Sequence, residues 1–123
     1  MDHRVKDVLD YLERHWRRRP TVNELAASVN LGPSRLAHLV RINAQTSIRE
    51  LVRRRRITEA ANLLVTTHQR ISEIGYAVGF GDMANFNHAF RRELGISPRA
   101  YRERELGRGK ASEDDKVLDY DAS

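Results

Sequence analysis

The sequence predicts an all-α protein: seven helices forming two helix-turn-helix subdomains joined by a long linker helix. Apolar residues recur at helical spacing along most of the chain, and no segment alternates for long enough to make a convincing strand. The pattern is also stated twice, about fifty residues apart. Val22, Glu24, Leu25, Val29 and Leu31 return as Ile71, Glu73, Ile74, Val78 and Phe80, with the small residues Ala26 and Gly75 in register. After a turn, Leu36, His38, Leu39, Val40 and Arg41 return as Phe86, His88, Ala89, Phe90 and Arg91, the second turn holding one extra residue.

The elements follow in order. Val5, Val8, Leu9, Leu12 and Trp16 form one stripe of an amphipathic first helix, which Pro20 ends. Thr21 and Glu24 make a capping box that opens a second helix to about Val29. Asn30 tolerates the left-handed turn, and Gly32 leads into a third helix with Pro33 at its first position. These pieces place the first helix-turn-helix at about 21–44. Ser47 and Glu50 form a second capping box, opening a linker helix over about 47–66, which at 1.5 Å per residue spans about 28 Å. The second helix-turn-helix covers about 70–94, and a final helix over 97–105 is capped by Ser97 before Pro98. From Gly107 periodicity is lost, so residues 1–106 are expected to form the folded part and 107–123 an acidic disordered tail.

Composition narrows the function. With no cysteine, the chain has no disulfide, thiolate metal site or thiol nucleophile. Its apolar runs are too short to span a bilayer and its charged start is not signal-like, so a cytoplasmic, nucleoid-associated protein is expected. The net charge is +5. Residues 109–123 hold five acids against two lysines, which leaves 20 basic and 12 acidic residues, or +8, on residues 1–108. An arginine-rich excess of that sign suits a polyanion.

A helical wheel sharpens this. Leu36, Leu39 and Val40 form the buried stripe of the third helix, leaving Ser34, Ala37, His38 and Arg41 at i, i+3, i+4 and i+7 on the other side. In the sixth helix Phe86, Ala89 and Phe90 bury, leaving Ala84, Asn87, His88 and Arg91 at the same four positions. Small residues admit a close approach, His and Asn address base edges, and arginine lies near phosphates. A linker of about 28 Å is close to the ~34 Å of one duplex turn, so both helices are expected in successive major grooves on one DNA face.

The residues that are most specific are Ile74-Gly75-Tyr76-Ala77-Val78-Gly79-Phe80, then Phe86, Ala89-Phe90-Arg91-Arg92, Gly95-Ile96-Ser97-Pro98 and Tyr101-Arg102. With Glu24-Leu25-Ala26, Leu36, and Arg56, Ala60 and Leu63-Leu64 in the linker, they resemble the DNA-binding domain of the AraC/XylS family of bacterial transcription regulators, from Val5 to Arg102. The resemblance implies two readers joined by a long helix, binding an asymmetric promoter DNA site of about two major grooves and contacting RNA polymerase, usually as an activator, and the linker length lets a monomer do this. The resemblance is to the short, single-domain members, in which no ligand-binding domain is expected before Val5. Carried over residue by residue, the base-contacting positions are Ser34, Arg35, Ala37, His38, Met83, Ala84, Asn85, Asn87 and His88, with Arg41, Arg91 and Arg92 on phosphates. Departures are Gln45 for a usual glycine, Val40 for a frequent Phe, Leu51 for a common aromatic and Gly75 for a usual alanine.

Plainer readings stand beside these. His38 and His88 could be solvated histidines, Arg35 and Arg41 a solvated surface, and Met83 a staple at a helix start rather than a probe of a thymine methyl. Arg53-Arg54-Arg55-Arg56 points in all directions on a helix, so at least one must face the protein, with Arg56 structural. Arg17-Arg18-Arg19 reads as a solvated helix end, and Trp16 and Tyr101 as core. His3, His15 and His68 are too scattered for a metal, and nothing gathers a nucleophile with a base, so no cofactor, metal, small-molecule ligand or catalysis is expected. The rival functions are an adaptor that binds RNA polymerase or another regulator with little specific DNA binding, or the excised C-terminal domain of a larger ligand-responsive regulator. If the histidines meet DNA in their charged form, affinity rises as pH falls through about 6.5.

Overall fold

A computed structural model describes residues 1–117, and side chains as far as residue 108. It contains α1 (His3–His15), a 3-10 turn (Trp16–Arg18), α2 (Val22–Ser28), α3 (Pro33–Ala44), α4 (Ile48–Thr66), α5 (Ile71–Ala77), α6 (Met83–Leu94) and α7 (Pro98–Val117). There is no strand among the described residues. Two compact units divide the chain, Met1–Thr58 and Glu59–Ser123, with the boundary inside α4. No described helix is long and apolar enough to cross a membrane.

In the first unit, Val5, Val8 and Leu12 of α1 pack with Leu25, Ala26, Leu36, Val40 and Ile48 in one apolar cluster. Asp2 caps α1 by accepting the Arg4 N–H at 2.8 Å, and its own N–H donates to Asn43 Oδ1 at 2.9 Å, tying the chain start to the last turn of α3. The α-helix stops at His15 rather than running to Pro20. A residue before proline is excluded from helical φ and ψ, and Arg19 turns left-handed at φ 51° while the 3-10 turn covers the interval.

Helix starts follow from hydroxyl caps. Thr21, Ser47 and Ser97 accept the N–H groups of Glu24, Glu50 and Ala100, each at 3.1 Å. The half-buried Glu50 carboxylate pairs with Arg53 at 3.2 Å and Arg54 at 3.9 Å.

In the second unit Phe80, Phe86, Phe90 and Tyr101 form a chain of ring contacts with centroids 5.4, 5.9 and 5.5 Å apart. Arg102 donates to the carbonyls of Leu64 at 2.8 Å and Thr67 at 3.3 Å. A guanidinium there satisfies orphan carbonyls and complements the negative end of the α4 dipole. Buried Ile57, Ala60 and Leu64 in α4 repeat the spacing of Val5, Val8 and Leu12 in α1.

The helix α7 differs from expectation, running to Val117 instead of ending near 105. Gly107 and Gly109 each cost about 1 kcal/mol in a helix, but no proline interrupts residues 99–117, where Glu, Arg, Lys and Ala are frequent. Residues 118–123 of the acidic tail lie outside the described residues.

Candidate nucleic-acid interface

Each helix-turn-helix is built by the same backbone turn. After α2, the Leu31 N–H reaches back to the Ala26 carbonyl at 2.9 Å and the Asn30 N–H to Ala27 at 3.1 Å, with Asn30 left-handed at φ 57°. After α5, the Phe80 N–H reaches Gly75 and the Gly79 N–H reaches Tyr76, both at 3.0 Å, with Gly79 at φ 105°. This closure satisfies the last carbonyls of one helix while reversing the chain into the next.

The helices then begin differently. Gly32 stands before α3 with Pro33 at its first turn, whereas its counterpart Asp82, which follows the extra Gly81, caps α6 by accepting the Asn85 N–H at 2.7 Å. That cap lay unread in the sequence, although an aspartate three residues before a polar helical position is its usual signature.

Both helices lay their apolar stripes inward. Leu36 and Val40 are fully buried in α3, with Leu39 half-buried, while Phe86, Ala89 and Phe90 are buried in α6. The opposite faces are open: Ser34, Arg35, His38 and Arg41 are exposed and Ala37 half-buried, and Ala84, Asn87, His88, Arg91 and Arg92 are exposed. Arg35, Arg41, Arg91 and Arg92 make no ion pair among the described residues. Each face is therefore cationic and carries hydrogen-bonding groups flanked by small ones, which suits a polyanion with addressable edges.

Two candidates that the resemblance alone supplies make contacts of their own. The amide of Asn85 is exposed but donates to Asp82 Oδ2 at 3.0 Å. Met83 is half-buried, and its terminal methyl lies where a Cβ on Gly75 would stand, only 2.6 Å from that position.

The arginine run is divided as its spacing demands. Arg55 donates to Glu13 Oε2 at 2.9 Å and lies 5.2 Å from the centre of the buried Trp16 ring, with Arg17 at 5.2 Å also stacking on that ring. Arg56 turns inward, its Nε buried with no partner. Burial, and then the positive charge of Arg19, lower its guanidinium pKa from the ordinary value. No group of three or more His, Asp or Glu side chains suited to a metal occurs among the described residues.

Residues 25–104 match the family described as a helix-turn-helix domain. The chain belongs to the AraC/XylS family of helix-turn-helix transcription regulators. It is 36% identical over 103 residues to the arabinose operon regulatory protein of Salmonella typhimurium, covering 83% of this chain and 37% of that one. It is 29% identical over 102 residues to the HTH-type transcriptional activator RhaS of Klebsiella pneumoniae, covering 83% of this chain and 37% of the relative. The chain thus spans about a third of the length of the curated relatives it matches.

Solved structures share the fold. The C-terminal domain of AraT, a response regulator from Geobacillus stearothermophilus, superposes with a TM-score of 0.72 at 29% identity, over 81% of this chain and 84% of that one. The DNA-binding domain of AdpA, a global transcriptional factor crystallised with a target DNA, superposes at 0.76 with 25% identity, over 85% and 94% of the two chains.

Proposed function

We propose that this AraC/XylS domain is a sequence-specific reader of promoter DNA. In this reading α3 and α6 enter successive major grooves, and the protein contacts RNA polymerase as an activator while bound as a monomer. Ser34, Arg35, Ala37, His38, Ala84, Asn87 and His88 address base edges, and Arg41, Arg91 and Arg92 hold phosphates. Asn85 joins the readers by exchanging Asp82 for a base or by using its free carbonyl oxygen. Met83 supplies apolar contact. The activity is binding alone, carried out in the bacterial cytoplasm without a cofactor.

The observation that carries this reading is the pair of matched exposed faces: His38 with Arg41 and His88 with Arg91 are solvent-facing at the same helical positions. A core or adaptor role gives no reason for the same groups to recur on two faces that bury nothing within their own units.

Selection of bound duplexes from a random pool at about 150 mM salt tests it, because non-specific binding then weakens to roughly 10⁻⁴–10⁻⁶ M. Two short boxes about one helical turn apart are expected. A single box means one reader carries specificity. No enrichment by folded protein replaces this reading with the polymerase or regulator adaptor.

A further inference from the structure

The second unit contains a groove of about 400 Å³ between the start of α5, one edge of α6 and the first turn of α7. Its apolar side is Ile71, Met83 and Pro98, and its polar side includes Ser72, Arg91 and Arg99. No acidic residue lines it. Met83, Asn87 and Arg91 follow one another at i, i+4 and i+8, so the groove borders the exposed face of α6 that carries the proposed reading residues.

We propose that this groove seats one sugar–phosphate unit of the DNA strand flanking the α6 reading site. Arg91 and Arg99 grip the phosphate and the Met83–Pro98 floor packs on the deoxyribose. The inference rests on the DNA-reading function above and adds Arg99 and Ser72 to it. Three observations converge. Arg91 and Arg99 project from two different helices onto one concavity, both exposed and without an ion pair among the described residues, which leaves their donor forks available to a phosphate. The repeat preserves the same pair, since Arg41 and Arg49 stand in the first unit where Arg91 and Arg99 stand in the second, each following a serine cap by two residues in Ser47-Ile48-Arg49 and Ser97-Pro98-Arg99.

The third observation is the room that Gly75 makes. A Cβ there would lie 2.6 Å from Met83 Cε and 2.9 Å from Phe86 Cδ2. Glycine therefore lets the methionine fold down as a floor, where alanine would drive its flexible end outward into the groove. The first repeat has Ala26 and Pro33 at the corresponding positions, so a larger residue under the turn accompanies a shorter one at the helix start.

The test uses the full chain, the duplex enriched by selection and a scrambled duplex of equal length. Arg99→Gln is expected to weaken both by the same factor, about tenfold for one charge-assisted hydrogen bond. It should also reduce the log–log salt slope by about 0.9. Because Arg91 and Arg99 share one phosphate, the double variant Arg91→Gln/Arg99→Gln should lose less than the product of the single losses. Gly75→Ala, which displaces the Met83 floor, and Met83→Ala, which removes it, should each weaken binding to both duplexes, with thermal melts confirming that each variant is folded. His88→Ala serves as the contrast and should weaken the enriched duplex alone. Wild-type affinity and salt slope in Arg99→Gln overturn the groove proposal while the His88→Ala result leaves the DNA-reading function standing. Equal wild-type affinity for the two duplexes overturns specific reading, and a reduced slope in Arg99→Gln then still supports the groove as a phosphate seat.

Discussion

Two units built on one repeat fill the same four positions with different side chains. Leu31, Leu36, Val40 and Leu51 in the first unit correspond to Phe80, Phe86, Phe90 and Tyr101 in the second. The aliphatic set joins a cluster with Val5, Val8 and Leu25, to which α1 contributes a full face, while the aromatic set stacks ring on ring from α5's turn to α7. The left-handed positions differ in the same sense. Asn30 at φ 57° and Gln45 at φ 55° occupy conformations that the second unit gives to Gly79 at φ 105° and Gly95 at φ 83°. A non-glycine residue there costs roughly 1–2 kcal/mol, Asn least because its side chain bonds locally. Larger buried rings and unstrained turns make the second unit the more robust reader, and the first the one whose geometry is held against a small backbone strain.

Core truncation should break this comparison most strongly. Phe86→Ala removes a fully buried ring that touches both Phe80 and Phe90, and is expected to cost about 3–5 kcal/mol, against about 2–5 for Leu36→Ala. Native-state hydrogen exchange reads the outcome by region: amides of α2 and α3 should exchange before those of α5 and α6 in the wild type, and Phe86→Ala should reverse the order. Identical protection in the two units would remove the distinction drawn above.

On DNA, each lost base contact is worth about 1–3 kcal/mol. His88→Ala should reach the upper part of that range and His38→Ala the lower, since part of the first reader's binding energy goes into ordering it. Titrations against the enriched duplex and against half-site variants decide the ranking, and a larger loss for His38→Ala would invert it.

The helix ends offer a smaller and reciprocal pair. Gln45→Gly relieves a left-handed non-glycine residue and should stabilise by about 0.5–1 kcal/mol after the added flexibility of the unfolded chain is counted. Gly95→Ala, at φ 83° with open space around it, should destabilise by about 1 kcal/mol through backbone strain alone. Melting temperatures that moved the same way in both would show that packing, not φ, governs these sites.

The smallest effect belongs to the N-terminal cap. The Arg4 side chain first, and its backbone N–H second, lower the Asp2 carboxyl to about 2 against an opposing contribution from burial. A carboxyl held low when folded stabilises above its unfolded value near 3.9, and that contribution is lost as pH falls toward about 2. The wild type should therefore lose a small increment of stability over that window that Asp2→Asn does not, measurable as the difference between their acid melting curves.

Much of this was open to reading in the chain itself, because helical periodicity and the repeat are properties of residue order. Thr21, Ser47 and Ser97 cap where hydroxyls precede apolar runs, and the i, i+3, i+4, i+7 faces of α3 and α6 emerge on the side opposite Leu36 and Phe86. Family membership too rests on those local signals. What depends on residues distant in sequence required the folded chain. Arg102 reaches carbonyls 38 and 35 positions away, and Arg55 meets Glu13 across 42. The four arginines of the linker helix look alike as letters, yet Arg53 and Arg54 meet Glu50, Arg55 meets Glu13 and Trp16, and Arg56 is half-buried with its Nε turned inward. Likewise Gly75 reads as a departure from a usual alanine, but that the side chain lying over it is Met83 appears only in the folded chain. Periodicity specifies which face of a helix is apolar, but the partner of each polar side chain is settled by the packing of other elements against it, and a single sequence does not encode that neighbourhood in any local pattern.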